Sequence, residues 1–214
     1  DPHTGIPFMP HMAGHFAGAL HEAGYDVQVI DCFGLQPNNR QRITEFMLMG
    51  ADEKWVCEHL NPESKVAYIY CRTMAEFIAV ERLVSAIHAA RPDIKICLFE
   101  NIQAVTSYSL RRVIQNFLDI GADAGIMGEP ERQAEALTEA LIANDKKALA
   151  ALGGVAFYDE KKNFISTPLP AFDMQLDELP FPLWEKWPLE GYWIAGFAHA
   201  PKENHRFLPI LTSR

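Results

Sequence analysis

The sequence predicts an α/β fold: a doubly wound parallel sheet with helices on both faces, then a β-hairpin and an extended strap. Three observations carry this reading. The runs "VAYIYC" (66–71) and "IKICLF" (94–99) are almost continuously apolar, as in strands covered on both faces. Stretches with apolar residues at helical spacing lie between such runs. Strand and helix alternate at the rhythm of βαβ units.

The elements follow in order. Residues 11–23 place Met12, Phe16, Ala19, Leu20 and Ala23 on one helical face, and Gly24 ends that helix. "YDVQVIDCF" (25–33) alternates and is rich in β-branched residues, so it is read as a strand over 25–32. Residues 37–61 read as two short helices around Gly50, with Asp52 as N-cap of the second. A helix over 74–90 turns Phe77, Ile78, Val80, Leu83, Val84 and Ile87 inward. Another helix spans 107–119 and stops at Gly121, "DAGIMG" (123–128) is a short strand, and a helix over 129–143 holds Pro130 in its first turn. A sheet of this kind has one more strand before its first helix, innermost in a 2-1-3-4-5 order. The chain is therefore expected to begin one strand late.

Residues 1–150 make up this α/β domain. Residues 151–205 form the hairpin "GGVAFYDEKKNFISTP" and a strap rich in proline and tryptophan, too proline-rich for a helix. Residues 206–214, containing "FLPIL", read as the first strand of a further domain.

Composition excludes several classes. A net charge of −9 disfavours a nucleic-acid partner, which needs a basic face. There is no apolar run of about 18 residues, so no membrane helix is expected. The four cysteines, Cys32, Cys57, Cys71 and Cys97, form no C-x-x-C pair. They suit reduced, packed thiols in a cytoplasmic protein. Neither phosphate-loop pattern occurs, which argues against nucleotide hydrolysis and ordinary dinucleotide binding. His11 and His15 stand four apart, but no third metal ligand follows at a sensible spacing.

Ligands of open parallel sheets bind outside the carboxyl ends of the strands. That rim holds Asp1, His3, Thr4, Gly5 and Ile6, then Asp31 to Gly34, Cys71-Arg72-Thr73, Glu100-Asn101, and Gly128-Glu129. It is polar over an apolar sheet and suits a large ligand with several polar arms.

The segments "AGALHEAGYDVQVID", "DAGIMGEPE", "GGVAFYDEKKNFISTP" and "QLDELPFPLWE", in this order, resemble the N-terminal cobalamin-binding domain of radical SAM enzymes. The resemblance covers essentially the whole chain and rests on order and spacing. It implies that cobalamin lies across the strand ends, its tail base beside the last two strands. It also implies a downstream domain of the same chain, opened by a C-x-x-x-C-x-x-C that binds a 4Fe–4S cluster and S-adenosylmethionine. The chain is expected to stop just before that motif. The parent would be a methyltransferase acting on an unactivated centre, and this part alone would be inert.

Related domains carry D-x-H-x-x-G with a cobalt-ligating histidine. "DPHTG" is one residue shorter, and it makes His3 the candidate cobalt ligand, with Asp1 orienting it. Where relatives have S-x-L or S-x-T this chain has Cys71-Arg72-Thr73, so Thr73 would bond the tail base. Where they have Gly-Gly it has Glu100-Asn101, whose side chains crowd a deep tail. Gly128-Glu129 matches the family's Gly-Glu; Gly128 permits close approach, and Glu129 either accepts from the tail or favours a helix N-terminus. The alternative is a degenerate flavodoxin-like (Rossmann-like) regulatory or interaction domain that binds no cobalamin.

Overall fold

The computed structural model describes residues 9–100, 110–171, 175–196 and 204–209. Helix α1 (His11–Glu22) comes first, then a single turn α2 (Cys32–Leu35). Strands β1 (Arg40–Ile43) and β2 (Phe46–Met49) precede α3 (Glu53–His59), β3 (Val66–Cys71) and α4 (Phe77–Ala90). Next come β4 (Lys95–Glu100), α5 (Leu110–Asp119), β5 (Ala124–Ile126), α6 (Ala134–Ile142) and α7 (Lys146–Ala151). Strands β6 (Val155–Tyr158) and β7 (Phe164–Ser166) and helix α8 (Leu189–Ala195) complete the order.

The main sheet runs β3-β4-β5-β6-β7. Its first three strands are parallel, and the β6–β7 hairpin joins antiparallel at the β5 edge. The hairpin thus extends the same sheet. Its tip is closed by Asp159, whose Oδ1 accepts from Lys161 N and Asn163 N, with Lys162 at φ 62°.

Alternation along the strands sorts the core into two layers. Cys97, Phe99, Ala124 and Ile126 face α1, α6 and α7, where Phe16, Leu137 and Leu149 are buried. Ile96, Leu98 and Ala156 face α4 and α5, where Val84, Ile114 and Phe117 are buried. Phe117 is fully enclosed, and burying such a ring stabilises by about 1.5–3 kcal/mol. Asp123 pins the entry of the sheet: its Oδ1 pairs with Lys95 Nζ at 2.9 Å and its Oδ2 accepts from Ile96 N at 2.9 Å.

Three expectations need correction. Residues 25–31 form no strand: the chain is extended, but Asp26 to Ile30 make no backbone hydrogen bond among the described residues. The pattern of a strand is there, and no neighbour among the described residues completes a ladder. Residues 37–61 hold one helix, not two, because 40–49 is the β1–β2 hairpin. Thr44 turns it at φ 53°, and Asn39 and Gly50 close its base through Gly50 N to Asn39 O and Asn39 Nδ2 to Gly50 O, both 2.9 Å. The second helix expected there is α3, capped by Asp52 Oδ1 on Trp55 N at 2.8 Å. The strap does contain a helix, α8, which starts after Pro188 and ends at Gly196 with φ 74°. Residues 206–209 make no ladder with any described residue, and 210–214 lie outside the described residues.

Candidate rim site

The carboxyl ends of β3, β4 and β5 come to one edge of the sheet. Asp31 reaches the same edge, since its partner Tyr192 feels the charges of Arg72 and Glu76. Of the rim residues expected from sequence, Asp1, His3, Thr4, Gly5 and Asn101 lie outside the described residues. The remaining ones are Cys71, Arg72 and Thr73 after β3, Glu100 at the end of β4, and Gly128 and Glu129 after β5.

Cys71 is fully buried, and burial raises its thiol well above the usual range. Burial, with Asp31 adding to it, likewise pushes Cys32 up to about 12. Neither is a thiolate at neutral pH, so neither is a nucleophile of the reactive kind. The Arg72 guanidinium pairs with Glu76 at 2.6 Å across one helical turn. Glu76 Oε2 also accepts from Arg72 N at 3.3 Å, so the turn after β3 is internally braced.

Glu100 links three elements. Its Oε2 accepts from Leu110 N, the first residue of α5, at 2.9 Å, and the carboxylate also accepts from the backbone N–H of Gly128. Burial raises its pKa, and these two bonds oppose the rise. The side chain therefore spans the gap between the ends of β4 and β5. Gly128, at φ 89°, has a conformation that side chains rarely adopt, and its nearest outside neighbour to an added Cβ would be Leu169 Cδ2 at 3.5 Å. Beyond it Glu129, Arg132, Pro170 and Leu179 line a cavity of about 70 Å³.

The strap covers one flank of this rim. Leu183 N donates to Gly14 O at 3.1 Å, and the His15 ring bonds Pro180 O at 3.2 Å. A Cβ on Gly18 would overlap Phe181 O, so only glycine admits the strap backbone there. Farther on, α8 packs on α2 with Gly34 against Gly191. Asp31 fastens this contact. Its Oδ2 accepts from Tyr192 OH at 2.6 Å and Trp187 Nε1 at 3.2 Å, while its Oδ1 caps α2 on Gly34 N at 3.0 Å. Burial, then the Asp31 carboxylate, raises the Tyr192 pKa.

Sequence reasoning placed Asp31 on the rim and marked the strap as rich in tryptophan, but it did not join them. They stand 156 and 161 residues apart, and no local pattern links them. Nor did it find the bridging role of Glu100, whose partner Leu110 follows ten residues later.

Among the described residues no group of three or more His, Cys, Asp or Glu side chains is arranged to hold a metal ion. None of the described helices is long and apolar enough to cross a membrane. No protein-family model matches the chain, and no curated protein and no solved structure matches it either.

Proposed function

We propose that this chain is the cobalamin-binding module of a radical SAM enzyme, a doubly wound domain whose rim seats the corrinoid for the cluster-bearing domain that follows. The order of the four quoted segments supports the family. The observation that carries the site is the convergence of Cys71-Arg72-Thr73, Glu100 and Gly128-Glu129 on one polar edge of an apolar sheet. In this reading the protein is cytoplasmic and its partner is the downstream domain of the same polypeptide. The chemistry that cobalamin supplies when bound is methyl transfer.

The fit divides along the rim. Leu169 Cδ2 and Pro170 Cδ lie 3.5 and 4.0 Å from where a Cβ on Gly128 would stand, so the polar groups offered to corrinoid amides are those of Thr73, Arg72 and Glu129. His3 is the proposed cobalt ligand and Asp1 its orienting carboxylate. The crevice between β4 and β5 does not fit a deeply inserted tail. Glu100 bridges it, and the 70 Å³ cavity beyond is far below the roughly 300 Å³ at which small-molecule pockets begin. This chain's own residues thus hold the ligand at the rim and, through the strap on Asp31, keep that flank dry.

That same bridge favours a second reading, a regulatory or docking domain that binds no cobalamin. Gel filtration of the chain with hydroxocobalamin, followed by its visible absorbance, separates the two. Co-elution near one equivalent is expected. Elution of all the cobalamin in the small-molecule volume, at tens of micromolar protein, would leave the second reading standing.

A further inference from the structure

The end of the sheet opposite the rim gathers positive charge in a chain whose net charge is −9. Strand register places Cys97, Ala124 and Phe157 side by side across β4, β5 and β6. All three belong to the layer of α1, α6 and α7. Lys95 opens β4 two residues before Cys97, so it shares that face. Lys146 reaches the same face from α7, with its Nζ over the Phe157 ring at 5.6 Å from the centroid. Lys162 stands at the tip of the β6–β7 hairpin, and Lys146 feels its charge together with those of Asp123 and Lys95.

The carboxylates beside these lysines are engaged elsewhere. Asp123 holds Lys95 Nζ and Ile96 N, each at 2.9 Å. Asp145 Oδ1 accepts from Lys147 N at 2.9 Å and from Ala148 N at 3.0 Å. Asp159 accepts from Lys161 N, Asn163 N and Asn163 Nδ2, and Glu160 is exposed on the tip. None of these bonds takes the ammonium of Lys146 or Lys162.

We propose that this basal cluster receives the phosphate of an acyl phosphate and that Lys146 Nζ accepts the acyl group. This does not depend on cobalamin binding. Only the free amine of a lysine is a nucleophile. Burial lowers the Lys146 pKa, Asp123 opposes that, and Lys95 and Lys162 lower it further. A lowered pKa leaves more free amine near neutral pH than an exposed lysine has. The neighbouring ammonium groups also concentrate an anionic donor at the site. In the reaction Nζ attacks the acyl carbon. The C–N bond forms, the C–O bond to phosphate breaks, and the amine proton leaves with the phosphate. The products are an uncharged amide on Lys146 and hydrogenphosphate. Lys147, next along the chain and exposed, has no such surroundings and is the internal standard.

The test treats the 214-residue chain with acetyl phosphate at about pH 8 and follows acetylation of each lysine by mass spectrometry at low extent. Lys146 should react about tenfold faster than Lys147. Inorganic phosphate should slow Lys146 more than sodium chloride at the same ionic strength does, and it should leave Lys147 unaffected. With a neutral acetyl ester as donor, phosphate should have no effect at Lys146. Lys162→Gln, an exposed change at the hairpin tip, should slow Lys146 while leaving Lys54 as it was. Equal rates at Lys146 and Lys147 would overturn the proposal. So would inhibition by phosphate no greater than by chloride, or a Lys146 rate that Lys162→Gln does not change.

Discussion

Strands β4 and β3 are neighbours of equal length and similar composition, yet they live in different surroundings. β4 has a ladder on each side, and its central residues Ile96 to Phe99 are at most 4% exposed. Among the described residues β3 has a ladder on one side, and only Ile69 and Cys71 of its six residues are buried. Residues 25–31 keep the alternation of a strand without any ladder among the described residues. An apolar alternating pattern therefore sets where side chains point, while assignment as a strand also needs a neighbour to bond. Stability should be concentrated on the β4–β6 side, and the β3 flank should be the part that a partner changes.

The largest expected effect comes from the core beside β4. Phe117→Ala removes a ring with no exposure and should cost about 3–5 kcal/mol in urea unfolding. Val27→Ala, on the unladdered segment, should cost under about 1 kcal/mol in the same measurement. Equal losses would break the contrast between the two regions.

The strap comes next. Asp31→Ala leaves Tyr192 OH, Trp187 Nε1 and Gly34 N without their acceptor and should cost about 2 kcal/mol. It should also speed proteolysis within 180–196 and change tryptophan fluorescence. Unchanged cleavage would show that Asp31 does not fasten the strap.

A smaller effect depends on pH. The Glu100 pKa is raised in the folded state above its ordinary 4.5, so the fold holds this proton more tightly than the unfolded chain does. Its contribution is fully present below 4.5 and is lost as pH rises through the higher folded value. Glu100→Gln should therefore flatten the decline in stability just above pH 4.5. A wild-type stability curve with no such decline, or one that the substitution leaves unchanged, would contradict the assignment.

The smallest effect is at the hairpin tip. Phe46 is 51% exposed, and Phe46→Ser should change stability by no more than about 0.5 kcal/mol.

Much of the sheet was legible because its signals are local. β4 and β5 appear as apolar runs, α4 as a period of 3.6, and the β6–β7 hairpin as two apolar stretches around a charged turn. The β1–β2 hairpin was misread because "FMLM" is too short for periodicity to separate strand from helix. In the structure Arg72, Glu100 and Gly128 stand at or just past the carboxyl ends of β3, β4 and β5. What stayed hidden was which groups those side chains engage: Glu100 with Leu110 and Gly128, and Asp31 with the strap. Such contacts are made by folding, between residues that no spacing rule connects.

The proposal that the rim seats a corrinoid is tested most directly by titrating hydroxocobalamin into the wild-type chain and into Glu100→Gly, followed by visible absorbance, with circular dichroism to check that both are folded. Saturable one-to-one binding by both proteins, tighter in Glu100→Gly because the crevice between β4 and β5 is opened, is the expected result. Absence of any spectral change with either folded protein would contradict it.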